Sequence, residues 1–251
     1  MDDHPAGEAA FSDWPAPPRA LRLQAGELHV FRLDLRPGCD DEAAVRLLDS
    51  AELARARRYR FEDARRRFIC ARGRLRQVLG FLLGMDPAAP ALAYNEYGKP
   101  FLPDSPARFN LSHSRDLALL AVTWGQEVGV DVEAVRVDVD YAAIAARFFA
   151  REEVDALNAL PPAGRAVGFF NCWTRKEAYL KARGLGLKIP LSQFAVTVAP
   201  GEPARLLHPE PGASGEWAMF ALYPAPGFCA AAVVEGEAPR LFCWAWEDEP
   251  G

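Results

Sequence analysis

Hydrophobic and polar positions recur with two different periods along the chain. After residue 18, "ELHVFRLDL" alternates as a half-buried strand does, and the segment from Asp40 to about Gly84 has the spacing of helices, which "GMDPAAP" ends. A second helical region runs from about Tyr141 to Gly184 and is interrupted by "LPPAG". The tail from Pro190 alternates strands such as "FAVTV", "WAMFALY" and "FCAAAVV" with Pro/Gly turns. The pattern predicts an α+β protein.

The middle of the chain contains two apolar runs separated by a short connector. "LALLAVTW" and "VGVDVEAV" flank "GQE", which predicts a β-hairpin whose first strand is buried on both faces. The preceding "AYNEYGKPFLP" is rich in turn residues, and "FNLSHSRD" is polar and predicted to be a loop.

The two halves of the chain have a similar order of elements. Each half is predicted to contain a strand and then helices, and the last helix of each carries one charged residue on its apolar stripe. Arg72 lies four residues after Phe68, as Glu177 lies four residues after Trp173. We therefore expect a pseudo-duplicated α+β architecture with two similar halves.

This interpretation divides the chain into three parts. Residues 1–18, acidic and rich in proline, are expected to form a loose N-terminal lead. Residues 19–125 form the first α+β half, and residues 126–251 form the second.

Composition narrows the class of protein. Half of the 251 residues are hydrophobic and 25% are charged, which is typical of globular proteins. A formal net charge of -5 argues against a protein that mainly wraps nucleic acid. The sequence has neither a signal-peptide pattern nor an apolar run of membrane-spanning length, so we expect a cytoplasmic protein that does not bind membranes.

Positive charge is concentrated in one short segment. Ten arginines lie between Arg55 and Arg76, against the two acids Glu62 and Asp63. The segment is expected to bind an anionic group, although a stripe residue such as Arg72 could instead pack its stem and extend its guanidinium into water.

Two carboxylates project from one face of a predicted strand. In "VGVDVEAV" the valines share one face, whereas Asp131 and Glu133 share the other. Such a pair could lie on a solvated face of an edge strand. It could equally hold a hard cation, because Mg²⁺ is usually bound by carboxylates, water and substrate phosphate.

Glu177 and His113 also have two interpretations each. Glu177 could be an exposed partner of Lys181 one helical turn away, or it could face inward and need a cation such as a metal shared with Asp131 and Glu133. His113, between two serines, could be a surface loop residue or could donate to a phosphate.

Four motifs occur together in a fixed order, and with them the chain resembles the Sfp-type 4′-phosphopantetheinyl transferases. The motifs are "NEYGKPFLP", "FNLSHS", "GVDVE" and "WTRKEAYLK". The resemblance covers roughly residues 40 to 198. It implies two similar α+β halves related by a pseudo-twofold axis, with the active site at their interface and coenzyme A lying between them.

The resemblance also implies roles for individual residues. It makes Asp131, Glu133 and Glu177 the ligands of Mg²⁺, with Mn²⁺ possible, and Glu177 and Lys181 the catalytic residues. The residues that it implies for coenzyme A binding are Arg67, Arg72, Lys99, Ser112, His113, Asp131, Lys176 and Lys181.

The implied reaction is the transfer of 4′-phosphopantetheine from coenzyme A to a serine of an apo acyl or peptidyl carrier protein by a monomeric enzyme. Attack of the serine on the β-phosphate releases 3′,5′-ADP. Two alternatives remain at this point: a Mg²⁺-dependent phosphodiesterase, and a non-catalytic module whose arginine helix binds an acidic partner.

Overall fold

The computed structural model describes residues 14–37 and 41–247, with Asp41 and Leu187 described by their backbone alone. The α-helices are α1 Asp41–Leu47, α2 Ser50–Ala56, α3 Glu62–Leu83, α4 Tyr141–Phe148, α5 Arg151–Ala159 and α6 Pro162–Arg183. The strands are β1 Glu27–Asp34, β2 Ala93–Tyr94, β3 Pro100–Phe101, β4 Ala107–Ser114, β5 Leu117–Trp124, β6 Val128–Ala134, β7 Ala195–Val196, β8 Leu206–His208, β9 Trp217–Leu222, β10 Phe228–Glu235 and β11 Arg240–Trp246. The α+β class is confirmed. Within the described residues, no helix combines the length and apolar composition needed to cross a bilayer.

Two sheets form the framework. The larger has the strand order β11-β1-β5-β4 and the smaller has the order β6-β10-β9. Helix α3 packs on the larger sheet through a buried apolar cluster that includes Leu75 and Phe109, and α6 packs on the smaller sheet through Phe169 and Val233. A third cluster joins the faces of the two sheets. The core is therefore continuous across both halves of the chain.

The predicted hairpin between β5 and β6 is wrong. β5 pairs with β1 and β4, whereas β6 pairs with β10 in the other sheet. The three-residue connector therefore carries the chain from one sheet to the other. As a result, the edge strands β4 and β6 come into contact along their length.

The ends of the chain depart from the predicted domain division. Strand β11 pairs in parallel with β1, so residues 240–246 complete the sheet of the first half. Residues 1–13 of the predicted lead lie outside the described residues, but Trp14 is buried against the core and Pro15 accepts a backbone hydrogen bond from Ala245. The division at residue 125 therefore does not separate two independent units.

The two long helices share one design. Helices α3 and α6 each contain 22 residues, and each ends at a left-handed glycine, Gly84 or Gly184. A positive φ favours glycine because a side chain there is strained. This agreement supports the expectation of similar halves, whereas the pseudo-twofold relation itself stays a prediction.

A glycine determines how closely β6 approaches α6. A Cβ atom at Gly129 would lie 2.1 Å from the carbonyl oxygen of Ala178 and 2.3 Å from the backbone nitrogen of Ala182. Both neighbours are backbone atoms of α6, so no side-chain rotation could relieve the clash. The absence of a side chain at Gly129 therefore brings the acidic face of β6 against the helix that carries Glu177.

We expect Gly129→Ala to destabilise the fold by about 3 kcal/mol, because the added methyl must push α6 away from β6. Gly164→Ala is the matched control: its Cβ would meet nothing within 4 Å, and the substitution should stabilise by about 0.4 to 1 kcal/mol. Urea unfolding of the two variants gives the comparison. A Gly129→Ala midpoint equal to that of the wild type would contradict this close contact.

Candidate active site

A cavity of about 350 Å³ opens between elements from both halves of the chain. Its walls come from α2, α3, the turn before β3, β4 and the C-terminal part of α6. Among the residues predicted for the site, the lining includes Arg72, Lys99, His113, Glu177 and Lys181. The structure thus brings together residues that are more than one hundred positions apart in the sequence.

Asp131 is held at the point where β4, β6 and α6 meet. Its Oδ1 accepts hydrogen bonds from Ser112 Oγ at 2.8 Å and from Lys181 Nζ at 2.6 Å, and Lys181 also donates to Ser112 at 2.9 Å. Only 5% of Asp131 is exposed. Its other oxygen, Oδ2, is buried and has no hydrogen-bond partner in the described part of the chain.

Glu133, two residues further along β6, is half-buried and accepts a hydrogen bond from Ser114 Oγ at 2.8 Å. Burial raises the pKa of its carboxyl group, and the negative charge of Asp131 raises it further, while the Ser114 hydrogen bond opposes the shift. Both predicted carboxylates therefore point towards α6 and β4. The alternative of a solvated edge face is wrong for this pair.

Glu177 lines the cavity from α6 and is half-buried. Burial raises the pKa of its carboxyl group, the charges of Asp131 and Glu133 raise it further, and Lys181 partly compensates. Three acidic side chains thus share one region with a single lysine between them. As the side chains stand, no group of three His, Cys, Asp or Glu residues is close enough to hold a metal ion anywhere in the described ranges.

The carboxylates are supported by polar side chains on β4 that sequence reasoning missed. The backbone N–H of Val130 donates to Asn110 Oδ1 at 2.9 Å, and the N–H of Ala134 donates to Ser114 Oγ at 3.1 Å. Side chains of β4 therefore replace the backbone ladder between two edge strands. The signal was present in "FNLSHS", where Asn110, Ser112 and Ser114 recur at the period of a strand. The prediction of a loop at this segment is wrong, because the segment forms strand β4.

Ser112 is assigned to coenzyme A by the resemblance. The structure buries it and directs its hydroxyl to Asp131 and Lys181. In this arrangement it orients the carboxylate and the ammonium group, and a contact with coenzyme A stays a prediction.

Lys99 and His113 line the same cavity. Lys99 Nζ donates to Glu127 Oε2 at 2.6 Å and to the carbonyl of Ala182 at 3.1 Å, and burial lowers its pKa. His113 projects from β4 at the edge of the cavity, where the residue is in contact with solvent but is also surrounded by protein atoms. Its pKa is lowered because the surrounding protein desolvates the ring and because the charges of Lys181 and Arg67 lie nearby.

Arg72 does not extend its guanidinium into water as one interpretation of its stripe position proposed. It is 7% exposed, its Nε donates to Glu52 Oε1 at 2.7 Å, and a terminal nitrogen donates to Tyr94 Oη at 2.7 Å. Glu52 also binds Arg76 at 2.8 Å, so one buried carboxylate fixes two arginines of α3. Arg72 remains part of the cavity wall.

Arg67 is placed differently. Its Nε donates to Asp116 at 2.7 Å, and it is absent from the cavity lining. Its charge nevertheless acts on His113. The structure therefore supports an indirect electrostatic contribution from Arg67, and direct contact with coenzyme A stays a prediction.

Lys176 is absent from the cavity lining, so the structure does not support its expected position against the phosphates, and a contact with coenzyme A stays a prediction. Its side chain is completely buried, where Nζ contacts Glu153 Oε1 at 2.7 Å and donates to the carbonyl of Phe194 at 2.6 Å. The helical period explains this position, because adjacent helix residues point about 100° apart. With Glu177 directed into the cavity, Lys176 must face the core.

Comparison with known proteins gives a consistent assignment. Residues 127–233 match the model of the 4′-phosphopantetheinyl transferase superfamily. The 4′-phosphopantetheinyl transferase HetI of Nostoc sp. is 39% identical over 228 residues, which cover 89% of this chain and 94% of HetI. The 4′-phosphopantetheinyl transferase Sfp of Bacillus subtilis is 29% identical over 159 residues, 62% of this chain and 69% of Sfp.

We expect the ring of His113 to titrate below about 6.5, the ordinary histidine value. Lys181→Met should raise its pKa, because the variant removes a nearby positive charge that opposes protonation. Arg67→Met should shift the pKa in the same direction. NMR titration of the four histidines measures these values, and a wild-type pKa of His113 above 6.5 would contradict the environment described here.

Proposed function

This chain belongs to the 4′-phosphopantetheinyl transferase superfamily, as an enzyme of the Sfp type, and from that premise we propose how its cavity carries out the transfer. Enzymes of this family move phosphopantetheine from coenzyme A to carrier proteins. The observation that carries our proposal is the meeting of Asp131, Glu133, Glu177 and Lys181 beside one cavity.

We propose that Mg²⁺, or Mn²⁺ in its place, binds at the three carboxylates. The donor set fits a hard cation, because all three side chains offer oxygen and Asp131 Oδ2 is buried without a partner in the described structure. Burial, and after it the neighbouring negative charges, raise the pKa values of the carboxyl groups of Glu133 and Glu177, so a bound cation would favour their ionised forms. When bound, the cation would neutralise charge on the diphosphate of coenzyme A.

Side chains of the protein accept the proton of the serine and stabilise the leaving group. Glu177 accepts the proton of the carrier serine, directly or through water, as the serine oxygen forms its bond to the β-phosphorus. The bond from that phosphorus to the bridging oxygen breaks, and 3′,5′-ADP leaves with the electron pair. Lys181 lies beside Asp131, where its ammonium group would stabilise the leaving diphosphate.

The other basic residues of the cavity and His113 are proposed to bind the nucleotide end. Arg72 and Lys99 lie in the wall, and His113 projects beside them. We expect these residues to contact the 3′-phosphate through charge-assisted hydrogen bonds. We also propose that the enzyme acts as a monomer in the cytoplasm, on the serine of an apo acyl or peptidyl carrier protein.

The direct test is incubation of the protein with coenzyme A, Mg²⁺ and an apo carrier protein, followed by mass spectrometry of the carrier. A mass gain of one phosphopantetheine on the serine, abolished by EDTA, is the expected result. Full transfer in excess EDTA would contradict the metal proposal. Hydrolysis of coenzyme A without carrier modification would favour the phosphodiesterase alternative.

Glu177→Gln should lower kcat by about 10² or more, because the amide keeps the shape but cannot accept the serine proton. The metal-free variant should be as stable as the wild type or slightly more stable at pH 7. A carboxyl group whose pKa is raised by folding destabilises the fold above its unfolded pKa of about 4.3, and the amide removes that cost. Steady-state kinetics measures the change in kcat, and urea unfolding measures the change in stability.

The matched control is Glu62→Gln, a glutamate with 79% of its side chain exposed at the start of α3. It should leave turnover unchanged and alter stability by less than about 0.5 kcal/mol. If Glu177→Gln behaves like this control, Glu177 has no role in the reaction.

Dephospho-coenzyme A, which lacks the 3′-phosphate, should be a poorer donor by about tenfold or more, since charge-assisted hydrogen bonds of roughly 1.5 to 3 kcal/mol each are lost. His113→Ala should narrow the difference between the two donors, because it removes one of the proposed contacts. Equal kcat/KM values for the two donors in the wild type would show that these residues bind something else.

A further inference from the structure

Ser114 is the last residue of β4, and its hydroxyl both donates and accepts a hydrogen bond. Its Oγ donates to Glu133 Oε2 at 2.8 Å and accepts from the N–H of Ala134 at 3.1 Å. The N–H of Ala134 occupies a lone pair of Ser114 Oγ, and the ionised carboxylate of Glu133 can only accept. The hydroxyl hydrogen is therefore directed at the carboxylate. The contact therefore specifies the orientation of Glu133 as well as its position.

The surroundings of Glu133 make this donor important. The carboxylate is half-buried on an edge strand, and burial together with the nearby charge of Asp131 raises its pKa. Ser114 is the one side-chain donor that the described structure places on it. Without that hydroxyl, a free carboxylate beside a like charge would turn towards solvent.

The neighbouring pair has the same design. Ser112 lies two residues before Ser114 on β4, and Asp131 lies two residues before Glu133 on β6. Ser112 donates to Asp131 at 2.8 Å. Ser112 also contacts Lys181, so its substitution would disturb an ion pair of the cavity. Ser114 contacts Glu133 alone among the acidic residues, which makes its role separable by mutation.

We propose that Ser114 is a positioning residue that holds Glu133 in the orientation that binds the divalent cation. This inference rests on the proposed function, in which Glu133 is a metal ligand. Hydrogen-bond partners of metal ligands typically contribute about 10-fold to 100-fold to metal affinity. A purely structural hydroxyl would instead contribute to the contact between β4 and β6 and leave metal affinity unchanged.

The experiment measures Mn²⁺ binding by electron paramagnetic resonance, with coenzyme A present and no carrier protein. Ser114→Ala should weaken Mn²⁺ binding by about 10-fold to 100-fold. Ser114→Thr keeps the hydroxyl and suits a strand, so its affinity should stay within about threefold of the wild type, less than the loss of one hydrogen bond. The affinity for coenzyme A without metal should be the same in all three proteins.

Thr123→Val is the control for a lost hydroxyl in the same sheet. Thr123 is fully buried on β5 and donates to the carbonyl of Gln126 at 2.6 Å, with no contact to the acidic residues. Its removal should lower the melting temperature without changing Mn²⁺ affinity. A melting curve for each variant confirms that the compared proteins are folded.

Three results would overturn the proposal. Wild-type affinity in a folded Ser114→Ala variant would show that the hydroxyl is structural, and the metal site would stand without it. Equal losses in Ser114→Ala and Ser114→Thr would show that the hydrogen bond is not the cause. Absence of Mn²⁺ binding by a wild type that still modifies the carrier would remove the metal site itself, while the transferase activity would stand.

Discussion

The cavity depends on the hydrogen-bond network formed by Asp131, Ser112 and Lys181. A single carboxylate oxygen binds a hydroxyl from β4 and an ammonium group from α6, while its own strand belongs to the other sheet. The Lys181 side chain is 29% exposed, so removing one member of this pair should cost less than the about 3 to 5 kcal/mol that is typical of a fully buried pair. The network forms only because Gly129 has no side chain, which lets the backbone of α6 approach the backbone of β6 closely. Close packing and charge pairing are therefore parts of one arrangement.

Buried charges in this fold divide into two kinds. In the first kind, the charges compensate one another through hydrogen bonds within the protein. Glu153 pairs with Lys176, and Glu52 binds both Arg72 and Arg76. The acidic residues in and beside the cavity are different, because three carboxylates share one lysine and one carboxylate oxygen is left without a partner in the described structure. Pairs of the first kind fix helices to one another. The incomplete compensation of the second kind is what a cation and an anionic substrate would complete.

Much of this organisation could be predicted from the sequence because it is local. Helical period placed Glu177 on an inward stripe, and strand alternation placed Asp131 and Glu133 on one face. The errors concern pairing between distant segments. No local pattern indicates that β6 leaves β5 for β10, or that β11 returns to β1, because strand pairing is decided by burial of the whole sheet.

Side-chain environment is the second feature that local patterns do not determine. The motif around Lys176 gave its chemistry but not its environment, and helix geometry turns it into the core beside Glu153. The polar alternation that ends at Ser114 was visible, yet its partners lie on another strand and needed the structure to identify.

The most direct measurement is the position of Mn²⁺ by anomalous diffraction in crystals grown with coenzyme A. We expect one strong peak in contact with carboxylate oxygens of Asp131, Glu133 and Glu177, with the diphosphate of coenzyme A completing its shell and Lys181 beside it. A manganese peak elsewhere, or coenzyme A bound outside the cavity between α3 and α6, would contradict it.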